Sequence, residues 1–308
     1  MRRRKIFTVL AIASLFVIFV GKCIISFWYK EEIRFSPIYY QVDGNWHKYF
    51  SDNSRMRVEL PDKFELLTIL NARSTENWIG IMSDDTEKKC LVEYKPNEKE
   101  IDIILDGDFL KNQGINIDEI EQVQYQPETY SYCFVYGDIF FHYDKESQLL
   151  KKVCDNVLKL KNGTIGYSVL WKDKDTLFYI DNSTNSIVEF GVNTGEKKKL
   201  YNNVITINGI DQMGEQLYFS TINRYEFLAY NIWIALNSYN CKDYTTHEIL
   251  HLDGNERVIG ISPEEGLVLV WKSGNMKENK YYLANYSFKI FPSVDIQIEV
   301  EPKQIIYP

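Results

Sequence analysis

The sequence predicts an all-β fold: a β-propeller of about six blades, each a four-stranded antiparallel sheet, preceded by one N-terminal transmembrane helix. Three observations carry that expectation. Aromatic residues make up 15% of the 308, with 22 Tyr and 17 Phe, and these side chains suit the half-buried pleated face of a strand. A strand–turn–strand pattern returns every forty-odd residues. Helix signals are nearly absent beyond residue 30, the best being the short "GINIDEIEQV" (114–123).

The first element is the N-terminal run "MRRRKIFTVLAIASLFVIFVGKCIISFWYK". Residues 1–5 form a basic cytoplasmic head, and 6–29 are apolar over a length that crosses a bilayer as a helix. Lys22 lies near the outer end, where its amine can reach the headgroups, and Trp28 and Tyr29 suit the interfacial belt. This reads as an uncleaved signal anchor at the cell membrane, single-pass, N-terminus cytoplasmic, with 30–308 outside. A cleaved signal peptide is the rival reading. No small-x-small site follows the apolar run in a good position, and Lys22 before Cys23 spoils a lipoprotein site. A sensor relaying a signal inward is disfavoured, since only a short head would face the cytoplasm.

Outside the anchor, 29 Lys and Arg stand against 43 Asp and Glu, a net charge near −14. Such a surface repels nucleic acid and anionic headgroups and favours neutral or cationic partners. Cys90, Cys133, Cys154 and Cys241 are widely spaced with no CxxC pair. They read as mostly unpaired, buried strand residues, with a disulfide possible and a cysteine zinc site disfavoured.

The clearest repeat is "DTLFYIDNSTNSIVEFGVNTGEKKKLYNN" (175–203): an apolar strand, a polar turn, an alternating strand, "NTGE" and a last strand. Weaker copies start at Phe35, Glu76, Ser131, Glu215 and Glu265. The middle of the third strand in each is marked by Tyr49, Tyr94, Tyr143, Phe190, Leu236 and Tyr282, with gaps of 45, 49, 47, 46 and 46 residues. A period of this length is that of propeller blades. The innermost strands are expected in the stretches between units: "FELLTIL" (64–70), "IEQVQYQ" (120–126), "GTIGYSVLW" (163–171), "NVITING" (203–209) and "RVIGISP" (257–263).

The unit "LFYIDNSTNSIVEFGVNTGEKKKL" resembles the repeat of bacterial TolB-like and receptor-like six-bladed propellers, in which a tyrosine-rich strand, a polar turn, a strand and a "D/N-x-G-x-x-x-x-L" hairpin recur. The resemblance covers about 270 residues and is specific in this one unit, around Gly195. It implies architecture, and a module that binds protein, peptide or glycan more often than it catalyses; fold alone does not fix function.

The stretch that most looks like chemistry is "HEILHLDG" (247–254). On a helix, His247 and His251 would project together onto one zinc with Glu248 as base for its water, as in a zinc-dependent peptidase. A third ligand at metzincin spacing falls on Arg257, whose guanidinium does not ligate zinc. The repeat register makes these residues the outer strand of their blade, where the two histidines stand about 13 Å apart and Glu248 points away from both. His47 and His142 hold equivalent third-strand places and read as a surface row.

No nucleophile motif is present. "DGD" (106–108) could open a calcium loop, but the chain after it does not supply the remaining oxygens, and a solvated turn is expected. The sequons at Asn162, Asn182 and Asn285 matter only in a cell that glycosylates them, and the residue bias looks bacterial. Trp46, Trp78, Trp171 and Trp271 fall near blade edges, where they pack between blades or stack on sugar rings. No catalytic, cofactor-binding or metal residue is assigned. The expected function is a membrane-anchored extracytoplasmic binding module for a protein, peptide or cell-wall glycan. The alternatives are a zinc peptidase on His247-Glu248-His251 and a propeller-type hydrolase or lyase.

Overall fold

The computed structural model describes residues 34–60, 64–72, 77–95, 98–126, 129–160, 165–211, 213–224, 232–274, 280–286, 293–301 and 305–307. The anchor expected at 6–29 lies outside the described residues, and among these no helix is long and apolar enough to cross a membrane.

Six four-stranded antiparallel sheets follow one another along the chain. Blade 1 opens with Ile38–Val42 (β1), Asn45–Tyr49 (β2) and Arg55–Arg57 (β3). Blade 2 is Phe64–Ala72 (β4), Trp78–Asp84 (β5), Lys89–Lys95 (β6) and Glu100–Asp106 (β7). Blade 3 is Ile120–Gln126 (β8), Ser131–Tyr136 (β9), Ile139–Asp144 (β10) and Leu149–Cys154 (β11). Blade 4 is Val169–Trp171 (β12), Thr176–Asp181 (β13), Ser186–Gly191 (β14) and Lys197–Tyr201 (β15). Blade 5 is Val204–Ile210 (β16), Gln216–Arg224 (β17), Ile232–Asn240 (β18) and Thr246–Leu252 (β19). Blade 6 is Glu256–Ser262 (β20), Leu267–Lys272 (β21), Lys280–Asn285 (β22) and Val294–Ile296 (β23). The last strand, Ile305–Ile306 (β24), returns to blade 1 and pairs with β1 through Tyr39 with Ile306 and Tyr40 with Ile305. It supplies the innermost strand that blade 1 lacks.

Each sheet hides both faces because neighbouring side chains along a strand point to opposite sides. In β13, Leu177 and Tyr179 pack with Cys133 and Val135 of blade 3, while Phe178 and Ile180 pack with Leu217 and Phe219 of blade 5. The same division in β9 sends Tyr132 and Phe134 toward blade 2. Six apolar clusters result, one per interface, the last joining Leu267, Leu269 and Tyr281 of blade 6 to Ile38, Tyr40 and Tyr49 of blade 1. No blade could bury both faces alone, so stacking is the source of stability.

All six sequence markers lie on third strands, and all five stretches proposed as inner strands contain one. The short helix signal at 114–123 corresponds to a 3₁₀ turn at Ile117–Glu119, followed at once by β8. A short α-helix, Gly107–Asn112 (α1), stands instead where a solvated turn was expected. Asp106 caps it by accepting from the Asp108 N–H at 2.8 Å, as N-cap carboxylates do. Lys88 pairs with Asp106 at 2.7 Å and Asp108 at 3.1 Å, occupying both carboxylates of the "DGD" that resembled a calcium loop.

The chain direction gives the ring two distinct faces. Connections from an outer strand to the next inner strand lie on one, which carries α1 and is called the helix face. Inner-to-second and third-to-outer turns lie on the other, where the chain enters β1 and leaves β24. Here the Glu265 carboxylate accepts from the Ser36 N–H and hydroxyl, both at 2.8 Å, and from the Tyr307 hydroxyl at 2.6 Å. One side chain of blade 6 thus fastens both ends of the ring, and this is called the closure face.

Candidate functional site

The sequence "HEILHL" forms β19, the outer strand of blade 5, so the helix a zinc peptidase needs is absent. Its pairing with β18 slips by one residue: Leu236 faces Leu250 and Asn237 faces Glu248, leaving Ile249 as a bulge. An extra residue reverses the alternation beyond it. The expectation that Glu248 points away from both histidines is therefore corrected. Glu248 and His251 share a face, with His251 Nδ1 3.2 Å from Glu248 Oε1, and the imidazole stacks on Trp233 at 5.6 Å. The same reversal puts His247 on the opposite face from His251. Two imidazoles on opposite sides of one sheet do not converge on a metal, and among the described residues no group of three His, Cys, Asp or Glu could hold one.

The bulge belongs to the repeat. Ile104 in β7, Val153 in β11 and Leu200 in β15 are displaced in the same way. With Ile249 they recur at intervals of 49, 47 and 49 residues. Each is a branched aliphatic side chain in its interblade cluster. Blade 3 repeats even the flanking pair, with Lys152 Nζ 2.9 Å from Asp155 Oδ2 across Val153. The Glu248–His251 contact is one instance of a structural device.

His47 and His142 do occupy third strands, β2 and β10, but are half-buried, each with partners in its own sheet. The His142 Nε2 lies 2.7 Å from the Ser131 hydroxyl. Burial holds its pKa below the ordinary histidine value, opposed by Asp144 and reinforced by Lys151. His47 stacks on Tyr40 at 5.4 Å, and burial together with Arg57 and Arg55 lowers its pKa as well. They are sheet residues in blades 1 and 3, not an exposed row.

The four described cysteines are free, three of them buried. Burial pushes the thiols of Cys133 and Cys154 up to about 12 and that of Cys241 to about 11, far from thiolate reactivity at neutral pH. Trp46 and Trp78 are buried between blades 1 and 2, and Trp171 and Trp271 are partly buried against clusters of their own. The tryptophans act as interblade packing.

Sequence reasoning missed a belt of polar side chains on the inner strands. Gln122 of β8 accepts from the Ser168 N–H at 2.9 Å and donates to its hydroxyl at 3.1 Å. Gln124 accepts from the Trp171 N–H at 3.3 Å and donates to the Val169 carbonyl. Two buried amides thus imitate a strand and join blade 3 to blade 4. Between blades 4 and 5, Tyr167 and Ile207 exchange backbone bonds of 2.7 and 2.8 Å. Gly166, at φ +125°, permits that approach, for a Cβ there would meet Thr206 Oγ1 at 2.2 Å. The alternating glutamines of "IEQVQYQ" were the visible signal. Elsewhere, an open depression on blade 4 has both charges in its lining, with Asp175, Glu189 and Glu196 beside Lys197 and Lys198; Glu189 there is already held by Lys172 at 2.8 Å.

The sequence matches no protein-family model and no curated protein. The fold is that of known six-bladed propellers. TolB from Acinetobacter baumannii superposes with a TM-score of 0.58 at 10% identity, over 88% of this chain and 65% of TolB. This chain thus spans about two thirds of that protein's length. A chain of the nidogen/laminin complex superposes with a TM-score of 0.53 at 7% identity, over 89% of this chain and 94% of the other. The TolB-like architecture expected from the repeat is present.

Proposed function

We propose that this chain is a membrane-anchored, extracytoplasmic β-propeller that binds a protein, peptide or glycan of the cell envelope without transforming it. The observation that carries this reading is the bulge at Ile249, which takes apart the one constellation with catalytic spacing and turns its members into sheet contacts. The propellers of TolB and of the nidogen/laminin complex share the fold at TM-scores above 0.5. The second of these was seen in a protein–protein complex. The apolar run at 6–29, with its basic head, supports the anchor.

The test uses the full chain in detergent, presented to purified glycan strands and to separated envelope proteins. Saturable retention with no change in the mass of the retained material is the expected result. Zinc-dependent cleavage of a peptide, lost in His251→Ala, or chain scission of the glycan would overturn it. Alkaline carbonate extraction tests the anchor, with the chain expected to stay in the membrane.

A further inference from the structure

We propose that the closure face rests on the phospholipid surface, presenting the helix face outward. This rests on the anchored reading and specifies which side of the ring meets the membrane. Two independent observations carry it.

The first is the reach of the tether. The Glu265 carboxylate holds Ser36 on the closure face, and the apolar run ends at Tyr29. Seven residues span at most about 25 Å even when fully extended. To turn the helix face to the membrane, the chain would have to pass from blade 1 over its rim and along its height. With strands about 4.8 Å apart and rising about 3.3 Å per residue, that path is roughly 10 Å outward and 16 Å along the five-residue strands of blade 1. That path uses up the whole tether before any distance to the lipid is added.

The second is where apolar side chains stand in water. Among the described residues the three most exposed large ones are Met213 at 76%, Tyr130 at 70% and Tyr244 at 60%. Each lies on a closure-face turn: Tyr130 and Met213 where inner strands β8 and β16 turn outward, Tyr244 between β18 and β19. Leu149, at 45%, begins β11 on the same side. Tyrosine is suited to the headgroup layer, with an apolar ring and a wet hydroxyl. Asp144 at the end of β10, and Asp175 and Asp243 on turns, lie on this face too, so contact is shallow and favours zwitterionic over anionic lipid.

The experiment places the full chain in phosphatidylcholine nanodiscs that carry a nitroxide on the headgroup. A thiol-reactive fluorophore is attached in turn to Met213→Cys on the closure face, Val42→Cys on the helix face and Ile103→Cys on the rim, after Cys23→Ser and Cys241→Ser. Quenching at 213 is expected to exceed that at 42 at least threefold, with 103 between them. In a chain that resists carbonate extraction, equal quenching at 213 and 42, or strongest quenching at 103 or 42, overturns the face assignment and leaves the anchor standing. A chain released by carbonate overturns the anchored reading, and the face assignment with it.

Discussion

His251 Nδ1 lies 3.2 Å from Glu248 Oε1, three residues apart on one strand, because Ile249 is squeezed out of register between them. In an unbroken strand that separation would put them on opposite faces. The contact is exposed on both sides, and exposed ion pairs contribute about 0–1 kcal/mol. His251→Ala is expected to lower stability by less than about 1 kcal/mol. Elemental analysis of the purified wild type is expected to find no stoichiometric zinc. One zinc per chain, lost in His251→Ala, would contradict this.

Closure by Glu265 makes a stronger demand. Its carboxylate accepts three hydrogen bonds, from Ser36 twice and from Tyr307, and bonds to a charged acceptor are worth about 1.5–3 kcal/mol each before non-additivity. Glu265→Ala is expected to cost about 3 kcal/mol in urea unfolding, and Tyr307→Phe about 1–2 kcal/mol. Gly260→Ala should act on the same joint, since a Cβ there would meet the Tyr307 carbonyl at 2.5 Å. Unchanged midpoints in all three would show that the ring is not fastened there.

The glutamine belt gives a third expectation. Gln122→Leu leaves the buried Ser168 N–H without its acceptor, a loss of about 1–3 kcal/mol. Gln122→Glu supplies the acceptor but not the donor to the Ser168 hydroxyl, and should be less stable than wild type at neutral pH. Thermal denaturation of the two variants checks this; wild-type stability in Gln122→Leu would refute a role for the amide.

Third strands and inner strands could be read from the sequence because five of the six units repeat tyrosine or phenylalanine at the marker place, with Leu236 in the sixth, and because inner strands are short apolar runs bounded by turns. What could not be read has a common cause in tertiary context. The two residues of β24 carry no strand signal of their own, and Ile305 and Ile306 are a strand only because Tyr39 and Tyr40 present an open edge. The bulges at Ile104, Val153, Leu200 and Ile249 follow from packing between blades, so strict alternation placed Glu248 on the wrong face. Helix α1 is too short to announce itself, and rests on the Asp106 cap and on Leu110 buried beneath it. In the candidate site, the outer strand was legible in "HEILHL", and its one-residue slip in register, with the side-chain geometry that follows, was not.

Protonation of His142 opposes folding. Its pKa is held below the ordinary histidine value by burial, so the fold favours the neutral ring. That stabilisation is complete above about pH 6.5 and is lost as pH falls through the lower folded-state value. Between pH 7.5 and 5, the melting temperature of His142→Gln is expected to fall less than that of wild type, by on the order of 2 °C. Parallel curves would rule out a titrating role for this ring.

Thiol chemistry separates free from paired cysteines. With Cys133 and Cys154 pushed up to about 12 by burial, iodoacetamide at pH 8 is expected to label neither in the folded chain. Both should be labelled in denaturant without reductant. Failure to label after denaturation would reveal a disulfide.

The central claim is that the polypeptide is a closed ring whose last strand completes its first blade. Hydrogen–deuterium exchange at Tyr39 and Tyr40 tests it most directly, comparing the full chain with one ended at Glu301. The ring predicts that removing Ile305, Ile306 and Tyr307 lowers protection of the β1 amides by at least tenfold and the melting temperature with it. Identical protection in the two chains would contradict closure.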